Sequence, residues 1–277
     1  MEHRVKIDTR KTAAENAEHY YETAKRAKLK LAGAKKALDD TRKKMAELKL
    51  REEASVQQAP EIKKSREKRW YDKFHSFYSS DGFFVVGGKD ATTNEILIKK
   101  HAEKGDVVFH AEMHGAPFFV VKNPSGKEIP QKTLEETAEA AASYSSAWKT
   151  GVSSCDVYYV LPGQVSKSAP SGEFLGKGAF MISGKKEYFR KTTLQIGIGV
   201  KLNQGAEVIA GPVSAVASNS KYHVKVSVGD KKSEELAKEI KAAVLRRSNK
   251  EDAEKIRKIR IEDIQRLIPG GKGRIIA

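Results

Sequence analysis

Apolar positions in residues 9–50 recur at alternating steps of four and three, which predicts one long helix with a coiled-coil seam. All but one of the eleven seam positions are apolar or aromatic, and five of them are alanine. An alanine-rich seam allows close helix approach but buries little area per residue. The seam consists of Ala13, Ala17, Tyr20, Ala24, Ala27, Leu31, Ala34, Leu38, Thr41, Met45 and Leu48.

Pro60 interrupts this pattern, and the residues that follow predict a second, shorter helix over Glu61–Tyr78. Its apolar face would carry Ile62, Trp70 and a pair of phenylalanines further on. Such a helix is too short to cover the long seam. Because an isolated helix is held mainly by packing of its apolar face, we predict a homodimer that pairs the long helices of two chains.

Short apolar runs bounded by Gly, Pro, Asp and Asn follow, which is the pattern of strands and turns. Between them lie two helical patterns, at 92–102 and 131–149. The result is an α+β fold, with a mixed, largely antiparallel sheet and flanking helices. The predicted strands cover 83–87, 106–111, 117–122, 155–161, 179–183, 193–202, 206–211 and 222–228.

The last part of the chain predicts two basic helices. Asp230 and Ser233 can begin the first, which reaches about Arg247, and the second covers 250–267 and ends at a Pro-Gly-Gly sequence. We therefore expect three segments: a coiled-coil segment at 1–69, an α+β domain at 70–230, and basic C-terminal helices with a tail at 231–277.

Charge is concentrated at the two ends of the chain. The 52 basic and 36 acidic residues give a net charge of +16, and most of the excess lies in 1–69 and 231–277. Such an excess favours an anionic partner. The charged helices lack an apolar face rich in Trp and Phe, which favours nucleic acid over a membrane surface.

Cys155 is the only cysteine of the sequence, so no disulfide forms within the chain. It lies in a predicted strand, where a core role fits better than that of a nucleophile. A lone cysteine fits a reducing compartment, and the sequence shows neither a signal peptide nor an apolar run of membrane-spanning length. We expect a cytoplasmic protein.

Several separated motifs occur together in one order. They read SSDGFFVVGGKDATTNE at 79–95, FHAEMHGAPFFVVKN at 109–123, AASYSSAWKTG at 141–151, QVSKSAPSGEFLGKGAFMISGKK at 164–186, and IPGGKGRI at 268–275. These motifs closely resemble the NFACT-R domain, the C-terminal half of NFACT proteins, together with part of the coiled coil that precedes it; the archaeal type fits best.

The resemblance implies a role in ribosome-associated quality control. NFACT proteins bind tRNA and the large ribosomal subunit with its rRNA after a stalled ribosome splits, and they help to extend the stalled nascent chain. NFACT-R is their RNA-binding module. Full-length members also carry an N-terminal domain that resembles DNA glycosylases, and this sequence shows no match to it. A non-catalytic, RNA-binding protein without a cofactor is the leading hypothesis.

Candidate RNA-contacting residues lie at predicted strand ends and loops inside these motifs. Lysines can contact phosphates, and an asparagine can both donate and accept hydrogen bonds. The last two candidates belong to a basic C-terminal tail that we expect to be flexible. The set is Lys89, Asn94, His110, His114, Lys122, Lys167, Lys185, Lys186, Lys272 and Arg274.

Three motifs suggest other chemistry. On a strand, His110, Glu112 and His114 would share one face, but the spacing is not that of a zinc helix and we predict no metal. The GEFLGKG sequence at 172–178 has three residues between its glycines and no Ser or Thr after the Lys, so it is not a Walker A loop. Phe83, Phe118, Phe119 and Phe180 could stack on bases, although core positions suit them better.

Two alternatives to RNA binding remain open. One is a metal-dependent enzyme acting on a nucleic acid or a nucleotide, with the HAEMH motif as its centre. The other is a structural adaptor that dimerises through the coiled coil, with the basic ends incidental. Salt-dependent RNA binding separates the first hypothesis from the adaptor.

Overall fold

The computed structural model describes residues 6–56, 69–168, 175–203 and 205–276, and the chain divides into two compact units, 1–67 and 68–277. The first unit contains the predicted long helix, α1 (Ala13–Val56). Thr12 and Glu15 begin it, because the Glu15 carboxylate accepts from the Thr12 N–H at 2.7 Å while the Thr12 hydroxyl accepts from the Glu15 N–H. The seam side chains Leu31, Leu38 and Met45 are exposed by 53–57%.

The second unit alternates strands and helices, which confirms the predicted α+β class. Its strands are β1 (His75–Tyr78), β2 (Phe84–Gly87), β3 (Val107–Ala111), β4 (Phe118–Lys122), β5 (Ser154–Val160), β6 (Val165–Ser166), β7 (Met181–Ile182), β8 (Glu187–Thr193), β9 (Gln195–Leu202), β10 (Ala206–Gly211), β11 (Tyr222–Lys232) and β12 (Lys272–Ile276). Its helices are α2 (Ala91–His101), α3 (Gln131–Ser143), α4 (Ala147–Thr150), α5 (Val213–Asn219), α6 (Ser233–Arg247), α7 (Lys250–Arg257) and α8 (Ile261–Gln265).

The larger sheet is six-stranded and antiparallel, in the order β1-β2-β4-β3-β5-β8. Its central strands are apolar on both faces, as expected for a sheet covered on both sides. Phe109 and Phe119 face the core that includes α3, whose run of alanines allows the helix to lie close to the strands. Val108 and Val120 face the opposite core, which includes Leu97 of α2.

The smaller sheet is four-stranded, in the order β10-β9-β11-β12. Strand β9 alternates glycine with branched residues, so its glycines lie on one face against α5 and its branched side chains lie on the other face against α6. A Cβ at Gly197 would lie 2.9 Å from Cβ of Val216, so only glycine lets α5 pack this closely. The alternate residue Ile198 packs instead beside Ile240 and Val244 of α6.

The predicted helix over 61–78 is wrong where the structure tests it. Residues 61–68 lie outside the described ranges, and His75–Tyr78 forms strand β1, paired antiparallel with β2. Phe77 is opposite Val85 in this pairing and joins the core on the α3 side, whereas Phe74 joins the core on the α2 side. The pairing partner, which lies outside the local sequence, decides the conformation of this segment.

Two predicted helices are broken in the structure. The helix over 131–149 is interrupted between α3 and α4, where the Ser145 hydroxyl donates to the Ala142 carbonyl at 2.6 Å and competes with the helical bonds. The helix over 250–267 is likewise divided into α7 and α8. The predicted strand over 193–202 is divided at Leu194, which separates β8 from β9.

The expectation of a flexible basic tail is also wrong. Residues 272–276 form β12, which pairs with β11 at the edge of the smaller sheet. The Lys272 carbonyl also accepts a hydrogen bond from Nε1 of Trp148 at 2.7 Å. Backbone pairing of this kind is not visible in a short Gly- and Lys-rich sequence.

Candidate functional site

A cavity of about 430 Å³ opens at one end of the larger sheet. Three chain segments meet there: the start of α2 at 89–94, the connection between β3 and β4 at 113–117, and the loop at 177–180. Because β3 and β4 are antiparallel neighbours, the end of one and the start of the other lie at the same edge. Tyr144 and Tyr158 add their rings to the wall.

Asn94 anchors the helix side of the cavity. Its side-chain oxygen accepts a hydrogen bond from the backbone N–H of Phe118 at 3.1 Å, and only 8% of the residue is exposed. A Cβ at Gly88 would lie 1.9 Å from this oxygen, so glycine is required there. The amide nitrogen of Asn94 donates to none of the residues that the structure describes.

Helix α2 begins at the cavity because of its capping sequence. The Asp90 carboxylate accepts from the Thr93 N–H at 2.8 Å, and the Thr93 hydroxyl accepts from the Asp90 N–H at 2.9 Å. The hydrogen bond from the Thr93 N–H to the carboxylate, followed by the one from the Thr93 hydroxyl, holds the pKa of Asp90 below its usual value, with a further contribution from the charge of Lys177. The capped end fixes where the preceding residue, Lys89, leaves the sheet.

The loop at 177–180 is held against α2 by one carboxylate and one lysine. Oε2 of Glu95 accepts from the Gly178 N–H at 3.1 Å and lies 3.5 Å from Nζ of Lys167. Lys167 also donates to the carbonyls of Gly176 and Ala179, at 2.8 and 3.0 Å. Its hydrogen-bonding capacity is therefore used to hold the cavity wall.

Aromatic rings form much of the cavity wall. The rings of His110 and Phe118 lie 4.4 Å apart, and Phe180 meets Phe118 edge-on at 5.6 Å. Phe118 and Tyr158 are buried, whereas Phe180 is half-buried at the mouth. Burial is the main cause that raises the pKa of Tyr158 to about 12, so its hydroxyl keeps its proton at neutral pH.

His110 is neutral at physiological pH. Burial lowers the pKa of His110 to about 4, and the charge of Lys186 acts in the same direction. The carbonyls of Ala111 and Ala116 oppose the shift, yet their geometry leaves Nδ1 buried without a hydrogen bond among the described residues. A neutral imidazole adds no positive charge to the cavity wall.

Positive charge lies around the cavity mouth. Lys89 and Lys177 line it and take part in no ion pair among the described residues, and His114 is exposed beside them. Partial burial is the main cause that lowers the pKa of Lys89, followed by the charge of Arg266. Lys186 lies with Nζ 4.2 Å from the centre of the Tyr158 ring.

Every residue that lines the cavity falls within residues 73–184, and this range matches the family described as NFACT protein RNA binding domain. The chain carries an NFACT-R domain. This result confirms the resemblance that the motifs suggested.

Curated relatives of the NFACT-R domain and its flanking residues are ribosome quality control proteins. The chain is 40% identical to the archaeal Rqc2 homolog aRqcH of Methanocaldococcus jannaschii over 283 residues, covering all of this chain and 40% of that protein. It is 39% identical to human ribosome quality control complex subunit NEMF over 186 residues, covering 66% of this chain and 17% of that protein. The chain thus spans less than half the length of these relatives.

Among solved structures, the C-terminal part of the fibronectin/fibrinogen-binding protein from Streptococcus suis aligns with a TM-score of 0.37 and 19% identity. It covers 66% of this chain and 77% of that chain. This likeness is too distant to support an inference about the NFACT-R domain.

The NFACT-R domain brings four of the predicted RNA-contacting residues together at the cavity. They are Lys89, Asn94, His110 and His114. Lys167 and Lys186 do not line the cavity: Lys167 holds the loop at 177–180, and Nζ of Lys186 lies 4.2 Å from the centre of the Tyr158 ring. Lys185 is exposed and pairs with Glu187 at 2.7 Å. Lys272 and Arg274 lie in β12, at the edge of the smaller sheet, and do not line the cavity.

Lys122 has a structural role in the NFACT-R domain. Its side chain is 14% exposed, donates to the His101 carbonyl at 2.7 Å, and pairs with the fully buried carboxylate of Asp106. Glu103 lies 3.3 Å from the same ammonium group. A phosphate contact would require this buried pair to break, so Lys122 is a poor candidate for RNA contact.

Glu112 of the HAEMH motif does not converge with the two histidines. Its carboxylate accepts from the Tyr188 hydroxyl at 2.7 Å and lies 3.6 Å from Nζ of Lys186. Among the residues that the structure describes, no three His, Cys, Asp or Glu side chains are placed to hold a metal ion. Within the same residues, no helix is long and apolar enough to cross a membrane.

Sequence reasoning missed Lys177 and Tyr158 as members of the cavity wall. Lys177 lies between two glycines in the GEFLGKG sequence, and a lysine in such a loop is the available signal. Tyr158 carries none, because its ring is one of several aromatic residues on β5 and only the fold selects the one that faces the cavity.

Proposed function

We propose that this chain is an RNA-binding, non-catalytic part of a ribosome quality control factor that contacts tRNA or large-subunit rRNA on obstructed ribosomes. The observation that carries the proposal is the cavity of the NFACT-R domain with its rim of lysines. Its relatives are named as ribosome quality control proteins, and its family as an RNA-binding domain. The cytoplasm is the expected location.

The arrangement of charge supports phosphate contact. Lys89 and Lys177 stand at the mouth without a carboxylate partner among the described residues, so neutralising an RNA phosphate would break no existing ion pair. Lys186 has one carboxylate partner, Glu112, and its Nζ lies 3.6 Å from the Glu112 carboxylate oxygen. Long single-stranded or looped RNA is bound by such a combination of cations and aromatic rings.

The experiment measures binding of purified total tRNA across a salt series. Affinity should fall with salt by a slope of about −0.7 per neutralised phosphate on single strands. Replacing Lys89, Lys177 and Lys186 together by Ala should reduce the magnitude of that slope by about 2. All three changes leave the buried pair of Lys122 intact.

A matched control removes the same charge at the opposite end of the larger sheet. Lys104 precedes β3, Lys127 follows β4, and Lys132 lies in the first turn of α3. All three are exposed. Replacing them by Ala should leave the salt slope unchanged. Equal effects of the two triple variants, or binding that does not depend on salt, would contradict the proposed rim.

A further inference from the structure

We propose that the cavity holds one unstacked nucleobase of an RNA chain, while the attached phosphates lie on the lysine rim. This inference rests on the proposed function, because it names the part of RNA that enters the site. It assigns a task to Asn94, Phe118 and Phe180 that the charge of the rim does not explain.

The size and lining of the cavity suit a flat, partly apolar group. A volume of about 430 Å³ is within the range of small-molecule sites, which are mostly apolar with a few placed polar groups. The rings of Phe118 and Tyr158 form the wall, and Phe180 is half-exposed at the mouth. A bare phosphate would lose its hydration against these rings, whereas a base has a face that stacks on them.

Two polar groups at the cavity, Nδ1 of His110 and the amide nitrogen of Asn94, have no hydrogen-bond partner among the described residues. Asn94 is buried, and its oxygen is used by the Phe118 N–H, so the orientation of the amide is fixed. Its nitrogen donates to none of the described residues. The nitrogen is not among the fully buried atoms that lack a partner, so it remains accessible from the cavity, and an oxygen or ring nitrogen at the edge of a base would accept its hydrogen bond.

The cations lie where the backbone of an inserted nucleotide would be. Lys89 and Lys177 occupy the start of α2 and the facing loop, on either side of the mouth. The inner wall carries the neutral ring of His110 and no described Lys or Arg side chain. Charge at the mouth with rings inside matches a nucleotide that enters base first.

The test uses nucleoside monophosphates and ribose 5-phosphate, which keeps the sugar and phosphate but lacks the base. Binding of AMP, CMP, GMP and UMP is followed by NMR shifts of the Ala116 and Gly178 amides. At least one nucleotide should bind about tenfold more tightly than ribose 5-phosphate, as expected when a base stacks on aromatic rings. Equal binding of all five compounds, or no shift at the cavity, overturns the inference.

Two variants locate the base. Asn94→Asp keeps an oxygen for the Phe118 N–H but removes the amide donor, and it should lower the preference for the nucleotide over ribose 5-phosphate. Ala179→Phe fills the mouth from an exposed position and should abolish the nucleotide shifts. Ala242→Phe, at an exposed position of α6, is the control and should leave them unchanged.

The outcomes separate this inference from the proposed function. Salt-dependent tRNA binding without a nucleotide preference would leave the function standing and overturn the base site. Failure to bind both tRNA and purified large-subunit rRNA would overturn both, since the inference concerns a base of RNA. Shifts at the cavity caused by an N-acetyl amino acid but by none of the nucleotides would identify a peptide site instead.

Discussion

The carboxylate of Glu95 accepts a hydrogen bond from the backbone N–H of Gly178, and these two atoms are 3.1 Å apart. This bond joins α2 to a loop 83 residues further along the chain. Gly178 has a φ of +76°, and a Cβ there would lie 2.6 Å from Cα of Ala91. The cavity therefore depends on a glycine and a carboxylate that meet only in the folded chain.

Glu95→Ala should loosen the loop at 177–180. The variant removes the acceptor of the Gly178 N–H and the carboxylate partner of Lys167, so hydrogen exchange at Gly178 should become faster. Binding at the cavity should weaken at the same time. Glu128→Ala removes a carboxylate from an exposed position at the opposite end of the sheet and is the matched control. Unchanged exchange at Gly178 in the Glu95 variant would contradict the role of this contact.

Lys122→Met should lower the free energy of unfolding and should not act on RNA directly, because Lys122 supports the fold. The variant keeps the apolar stem but leaves the buried Asp106 carboxylate without its cation, a loss of about 3–5 kcal/mol in the free energy of unfolding. Denaturant titration is the measurement. Lys185→Met, at an exposed position in the same larger-sheet region, should change that free energy by less than about 0.5 kcal/mol. Similar values for the two variants would show that the buried pair is not required.

Stability should decrease as the pH falls because of His75. Burial lowers the pKa of His75 to about 3, and its ring stacks on Tyr144 at 4.0 Å. The unfolded histidine binds its proton near pH 6.5, so the neutral folded state is favoured above that pH. Its contribution is lost as the pH falls from about 6.5 towards 3, by up to about 1.4 kcal/mol per pH unit.

His75→Phe isolates this effect because it keeps a ring against Tyr144 but cannot titrate. The free energy of unfolding of the variant should depend less on pH between about 6.5 and 4 than that of the wild-type chain. Ser76→Ala changes a side chain of the same strand that does not titrate, and it should leave the pH dependence unchanged. Parallel pH profiles for the wild type and the His75 variant would contradict the buried neutral histidine.

Self-association through α1 remains a prediction. Leu31 and Leu38 are exposed by 57% and 53% in a single chain, and a seam of this length is expected to pair. Replacing both by Asp places charge in the seam and should give monomers whose NFACT-R domain still folds. Light scattering across a concentration series measures the change.

A control for the seam alters the other side of α1. Lys36 and Lys43 lie at the heptad position opposite the seam and are exposed, and replacing both by Asp should leave association in place, because the packed face is unchanged. A wild-type chain that stays monomeric at high concentration, with α1 still formed, would show that the seam does not drive association.

The local sequence was sufficient to predict the elements whose conformation is signalled by their own residues. The heptad of α1 shows its helical periodicity, and β2, β3 and β4 are short apolar runs bounded by Gly, Pro, Asp and Asn, so in both cases the signal lies within or beside the element itself. The segment His75–Tyr78 shows the limit. Its aromatic spacing fits a helix, and only pairing with Phe84–Gly87 makes it a strand.

The sequence by itself determined the α+β class, the long seam and the set of candidate lysines. The tertiary structure decided which lysines are available, because Lys122 is held by buried Asp106, Lys167 by backbone carbonyls, and Lys89 by neither. The sequence contains the residue types, but burial and partnership arise from contacts between distant segments. The cavity exists only where 89–94, 110–118 and 177–180 meet.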